Sequence, residues 1–251
     1  MGLESSHTMS IIDTHVYLGR GRHLSLDADA LLELMDEAGI SLAVACPVDH
    51  FLAVHNREGN DLIFDAVRSH PDRITGMASA NPWFAEKAVE ELRRAFERGL
   101  RGLMLHPLYQ GFRLSDPVVN PLLETAAEFA VPVYAHTGTA GIAEPFHVVE
   151  LALRFPSLTF IMGHAGSSDY GEDAVRALDF CENVWLETSR NGPANYNFWR
   201  VRNYLNRVMF GSSAPEYIPA IEIETLCDVV TDPRDREAVL SGNARRLFGG
   251  A

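Results

Sequence analysis

Apolar residues along the chain recur in two alternating patterns. Short runs with almost no polar interruption cover Ser10–Tyr17, Leu42–Pro47, Ile74–Asn81, Gly102–His106, Pro132–His136, Leu158–His164, Val184–Ser189 and Val208–Ser212. Runs of this length and composition read as strands buried on both faces, the habit of parallel sheets. Between them, Ala28–Ala38, Ala85–Arg98, Pro117–Ala130 and Phe146–Phe155 carry apolar residues at helical spacing and are long enough for crossover helices. Asp27, and Asp116 followed by Pro117, are helix-start signals, while Gly39 and Gly99 mark helix ends.

Eight strands alternating with helices close most simply into a single (β/α)₈ TIM barrel, because right-handed crossovers repeated without reversal bring the last strand beside the first. An open doubly wound sheet is the second choice, and the absence of a G-x-G-x-x-G after an early strand removes its dinucleotide-binding version. The 251 residues suit one barrel. No linker or low-complexity tract interrupts residues 10–251, which read as a single domain, and residues 1–9 read as a leader or appended segment.

Composition narrows the partners. A formal charge of -13 disfavours nucleic acid, and no apolar run is long enough for a membrane helix. Cys46, Cys181 and Cys227 are odd in number and far apart, so reduced thiols in a cytoplasmic protein are expected. The expected partner is a small-molecule substrate. Self-association into a homo-oligomer is compatible with the sequence and not specified by it.

In a barrel the carboxyl ends of the strands build the site. His15, His106, His136 and His164 each finish or nearly finish a strand, so the strand reading gathers four of ten histidines on one rim. Each also has a blander reading. His106 precedes Pro107 and could merely orient a turn, His136 and His164 could be hydrogen-bonded core histidines, and Asp13 could accept from backbone donors without doing chemistry. The stretch from Arg190 to Arg200 is rich in cations and aromatics, which suits either an anion clamp or a helix-capping loop.

The blocks Ile-Ile-Asp-Thr-His-Val-Tyr (11–17), Gly-Leu-Met-Leu-His-Pro (102–107), Val131-Pro-Val-Tyr-Ala-His136, Ile161-Met-Gly-His164-Ala-Gly166, Phe210-Gly-Ser-Ser-Ala-Pro215 and Gly242-Asn-Ala-Arg-Arg-Leu-Phe248 together resemble the amidohydrolase-related family of metal-dependent TIM-barrel hydrolases and decarboxylases. The resemblance implies a divalent ion, usually zinc, held by two first-strand histidines, a fifth-strand histidine and an eighth-strand aspartate. It also implies a sixth-strand histidine acting beside the ion. Neutral imidazoles and one carboxylate suit zinc and leave a position for water, whose pKa falls towards 7.

Three positions depart from that pattern. Tyr17 stands where the second histidine is expected, Met104 where a fourth-strand lysine is expected, and Ser213 where the aspartate is expected. A neutral phenol and a serine hydroxyl are poor zinc ligands. The expected metal set is therefore His15, His136 and His164, with Glu187 as a further carboxylate. His164, His106 and Tyr17 are the expected catalytic groups, and Arg190, Tyr109, Trp83 and Ser213 the expected substrate contacts. Two other readings stay open: a metal-independent, lactonase-like hydrolase or decarboxylase on the same barrel, and a non-catalytic binder.

Overall fold

The computed structural model describes residues 10–248. The expected leader and the last three residues lie outside them. The strands are β1 (Ile11–Arg20), β2 (Ser25–Leu26), β3 (Ile40–Pro47), β4 (Ile74–Gly76), β5 (Leu103–Leu105), β6 (Val133–His136), β7 (Phe160–Gly163), β8 (Val184–Glu187) and β9 (Val208–Met209). Helices α1 (Ala28–Ala38), α2 (Asp49–Ala53), α3 (Asn56–Ser69), α4 (Glu86–Glu97), α5 (Pro107–Gln110) and α6 (Asn120–Glu128) accompany the first half. The second half carries α7 (Pro145–Arg154), α8 (Gly171–Phe180), α9 (Pro193–Val201), α10 (Pro219–Val229), α11 (Pro233–Glu237) and α12 (Asn243–Phe248).

Parallel ladders join β1 to β3 to β4, and β5 through β9 in order. Two seams close the ring. At one, Ala78 bridges Leu103, with the Ala78 amide donating to Gly102 at 2.8 Å and the Met104 amide to Ala78 at 2.7 Å. At the other, Val16 bridges Ala214, with Thr14 donating to Phe210, Tyr17 to Ala214 and Ser213 to His15, all at 2.8–2.9 Å. Eight parallel strands in sequence order, closed at both seams, form the TIM barrel that the alternation predicts. The eighth predicted strand is β9.

The caps follow their sequence signals. Asp27 accepts from the Ala30 amide at the start of α1, and Gly39 takes φ 70° at its end. Pro117–Ala130 is not one helix: Asp116 caps a short 3₁₀ turn, and α6 begins at Asn120 with Pro121 in its first turn. The sequence reading also misses β2, which folds back antiparallel on the overlong end of β1.

Two apolar layers result. Ile12, Val44, Met104, Tyr134, Ile161, Trp185 and Met209 fill the barrel's interior, with Ala244 and Phe248 packed against them. Their strand neighbours, such as Leu103, Val133, Phe160 and Leu186, pack with the helices. All three cysteines are free thiols, Cys46 and Cys181 buried. No described helix is long and apolar enough to cross a membrane.

Candidate functional site

Side chains alternate along a strand, so residues two beyond an interior residue point to the same lumen. His106 follows Met104 in this way, His136 follows Tyr134 and Glu187 follows Trp185. The same rule puts Gly163 beyond Ile161 and Gly211 beyond Met209, and both glycines make room. A Cβ at Gly163 would overlap the Tyr134 ring, and one at Gly211 would overlap the Glu187 carboxylate. In β1 a register shift between Asp13 and Val16 inserts an extra residue beside His15. Such bulges bend the strand and re-aim its side chains.

The histidines form one buried cluster. His136 lies 3.9 Å from His106 and 4.4 Å from His164, ring centroid to ring centroid, and His164 lies 5.4 Å from His15. His15 stacks on Tyr134 at 4.5 Å and meets Tyr17 edge-on at 4.6 Å. Burial, with the neighbouring rings and Arg190, holds His15, His106 and His164 well below the usual imidazole range. Burial and Arg190 hold His136 down to about 3. All four are therefore neutral at pH 7 and present lone pairs.

Glu187 is fully buried among hydrogen-bond donors. Its Oε2 accepts from the Tyr134 hydroxyl at 2.7 Å, the Ser189 hydroxyl at 2.7 Å and the His164 amide at 3.1 Å, and its Oε1 accepts from the Ser189 amide at 2.5 Å. Burial pushes the carboxyl upward while these bonds pull it back. Ser189 Oγ also lies 2.7 Å from His164 Nδ1. Across β9, on the first strand, Asp13 accepts from the Ser212 hydroxyl at 2.5 Å, the Ser212 amide at 2.9 Å and the His15 amide at 3.2 Å. Burial drives Asp13 up to about 7 against the Ser212 hydrogen bonds.

The mouth is less enclosed. Arg190, half-buried at φ 60°, forms an ion pair with Glu216 through two nitrogens, and Ser213 Oγ donates to Glu216 at 3.3 Å. Tyr109 stacks on His106 at 4.0 Å and stays partly exposed. Trp83 is exposed and donates its indole N–H to Gly111 at 3.0 Å. Burial, then Cys46, raises the Tyr17 phenol far above its ordinary value, so it remains a neutral hydrogen-bonding group.

The structure thus brings His15, Tyr17, His106, His136 and His164 together, with Tyr109 against His106. Ser213 and Arg190 share Glu216, and Trp83 stands at the mouth against Gly111. His106 also orients a turn, since its Nδ1 accepts from the Tyr109 amide at 3.3 Å and caps α5. Of the cationic stretch, only Arg190 turns to the mouth. Tyr196 and Trp199 are core residues of α9, and Arg200 is exposed beside Asn197. Ser189, Tyr134 and Glu216 escaped the sequence reading. Tyr134 shares strand parity with His136, a signal that was there to be read; Glu216 lies in a loop and gives none.

Among the described residues, four buried imidazole nitrogens lack a protein partner: both of His15, Nδ1 of His136 and Nε2 of His164. Unpaired neutral imidazole nitrogens are donors that fit a divalent ion. Among the described residues, His15, His164 and Glu187 bring one donor atom each within 4.8 Å of one another. Glu187 Oε2 already accepts three hydrogen bonds, so that oxygen offers charge beside an ion rather than a free lone pair. His15 and His136, each with a ring nitrogen free of any protein partner, are the residues that would hold it, with His164 beside them.

A family model described as Amidohydrolase matches residues 27–250. A 2-amino-3-carboxymuconate-6-semialdehyde decarboxylase from Dictyostelium discoideum is 32% identical over 78 residues, which cover 31% of this chain and 22% of that protein. The match therefore spans about a fifth of the relative. Among solved structures, 2,6-dihydroxybenzoate decarboxylase from Rhizobium superposes with a TM-score of 0.79 at 18% identity, covering 96% of this chain and 99% of its own. A 5-carboxyvanillate decarboxylase from Novosphingobium aromaticivorans, complexed with manganese and a nitrobenzoic acid, superposes with a TM-score of 0.76 at 18% identity, covering 96% of each.

Proposed function

Because the chain belongs to the amidohydrolase family, we propose that it is an enzyme that cleaves a bond at a carbonyl or carboxylate carbon of a small anionic compound, with hydrolysis as the first reading. The observation that carries this is the buried cluster of four neutral histidines beside a half-buried guanidinium. Arg190 binds the substrate's carboxylate in exchange for Glu216, since guanidinium and carboxylate pair in two-pronged fashion. His164 Nε2 takes a proton from water as the oxygen adds to the carbonyl carbon, and returns it to the leaving group. The Tyr17 phenol, neutral at pH 7, donates to the oxygen on which charge develops.

His15 and His136, whose unpartnered nitrogens are separate from His164 Nε2, would hold a divalent ion, for which zinc is the expectation and manganese the alternative. When bound, such an ion polarises a carbonyl and lowers the pKa of water.

Decarboxylation is the second reading, favoured by relatives that are themselves decarboxylases of carboxylated aromatics or muconates. Purified protein offered a panel of carboxylated lactones, esters and aromatic acids separates the two. Hydrolysis incorporates ¹⁸O from labelled water into the product, whereas decarboxylation releases CO₂. In either case His164→Ala lowers kcat by about 10³-fold, the scale of a lost general acid or base. A variant retaining full rate would overturn the assignment of His164.

A further inference from the structure

The carboxylate–serine pair beneath His164 has a direction. Glu187, as a carboxylate, can only accept, and its Oε2 receives the Ser189 hydroxyl proton at 2.7 Å. A serine hydroxyl has one proton to give. Its oxygen, 2.7 Å from His164 Nδ1, must therefore accept there, which puts the imidazole proton on Nδ1. Nε2 is left as a bare lone pair, and it is the ring nitrogen that is buried without a protein partner. The alternative tautomer would place two acceptors, Nδ1 and the carboxylate, on either side of a hydroxyl able to satisfy only one.

The surrounding chain is shaped to hold this arrangement. Gly211 is the lumen position against Glu187, where any side chain would displace the carboxylate, and Gly163 clears the Tyr134 ring, whose hydroxyl is another donor to Oε2. The His164 backbone sits at φ 62°, in the left-handed region that a β-carbon disfavours, and its amide also donates to Glu187. The carboxylate thus grips the histidine at its backbone directly and at its ring through Ser189.

We propose that Ser189 and Glu187 are positioning residues that fix His164 as the Nδ1–H tautomer, so that Nε2 faces the substrate as a lone pair. This rests on the reading of His164 as the proton-handling group, and it extends that reading to how the group is prepared. A histidine's second nitrogen sets the tautomer of its first, and losing such a support costs about 10–100-fold in function.

The test is ¹⁵N NMR of the histidine rings in chelator-treated, full-length protein at pH 7.5, with His164 assigned by the signals lost in His164→Gln. The expected wild-type spectrum has Nδ1 in the protonated, pyrrole-like range and Nε2 in the unprotonated, pyridine-like range. Ser189→Ala removes the acceptor and shifts the ring towards Nε2–H. Ser189→Thr, which keeps the hydroxyl, restores the wild-type pattern. Glu187→Gln, which can donate where the carboxylate only accepts, moves the ring the same way as Ser189→Ala. With a substrate in hand, Ser189→Ala lowers kcat by about 10–100-fold and leaves KM within about threefold. A wild-type ring already protonated on Nε2, or a Ser189→Ala ring unchanged from wild type, overturns the proposal. The spectra need no substrate, so failure to find an activity leaves this result standing by itself.

Discussion

The strands on either side of β9 each pair a buried carboxylate with a serine, and the pairs end differently. Asp13 takes the Ser212 hydroxyl proton, and Ser212 Oγ then accepts from the Ala214 amide at 3.0 Å. Glu187 takes the Ser189 hydroxyl proton, and Ser189 Oγ then faces an imidazole. The first chain of bonds ends on backbone at the seam between β1 and β9, so it holds the ring shut. The second ends on a side chain in the site, so it sets that side chain's chemistry. What the serine oxygen accepts from, more than the carboxylate itself, separates a structural pair from a functional one.

The comparison can be broken most forcefully at Gly211. Gly211→Ala drives a methyl group into Glu187, and the expected result is loss of more than about 100-fold in activity with about 3 kcal/mol of stability, the scale of overpacking a core. Retained activity, followed by steady-state assay alongside urea denaturation, would remove the need for Glu187 where it stands. On β1, Asp13→Ala strands the Ser212 hydroxyl and two amides. It should cost about 3 kcal/mol by urea denaturation, since each stranded buried donor costs about 1–3 kcal/mol.

Asp13 also carries a pH signature. Its pKa rises from 3.8 to about 7 on burial, so the folded state binds this proton more tightly than the unfolded chain. Its contribution to stability is full below about pH 4 and is lost as pH climbs towards 7, at up to about 1.4 kcal/mol per pH unit. In chelator-treated protein the difference in stability between wild type and Asp13→Asn should narrow across that window, and a flat difference would count against it. At the mouth, Arg190→Lys keeps the charge and loses the two-pronged geometry, so KM should rise about tenfold with kcat little changed. Smallest of all, Trp83→Ala should alter stability by less than about 0.5 kcal/mol, the usual range for an exposed position. A larger rise in KM for Trp83→Ala than for Arg190→Lys would move the binding surface outward.

The barrel was legible because its signals are repeated: eight apolar runs, each followed by polar residues and most by a helical segment, leave little choice of topology. The gathering of the four histidines was legible for the same reason, as each ends a run. The relations among the polar groups were not. Alternation along Val184–Glu187 points Glu187 inward with Trp185, but no pattern in sequence says that Ser189, beyond the strand's end, turns back onto it. Glu216 reaches Arg190 and Ser213 from a loop, where periodicity carries no information. Asp13 illustrates the limit from the other side. Its place in the first block suggests chemistry, while its partners in space are largely backbone, the plainer of its two readings.

The seam between β1 and β9 bears on how the site comes into being during synthesis. Thr14, His15 and Tyr17 have their backbone partners at Phe210, Ser213 and Ala214, some two hundred residues further along the chain. Until that distant stretch has left the ribosome, the first strand has an open edge and the ring is a horseshoe. Contacts of such long sequence separation form late, because the closure entropy must be met before they contribute. The first residues of the pocket to be made are therefore among the last to be locked in place, and a nascent chain exposes the unpaired edge of β1 throughout the interval.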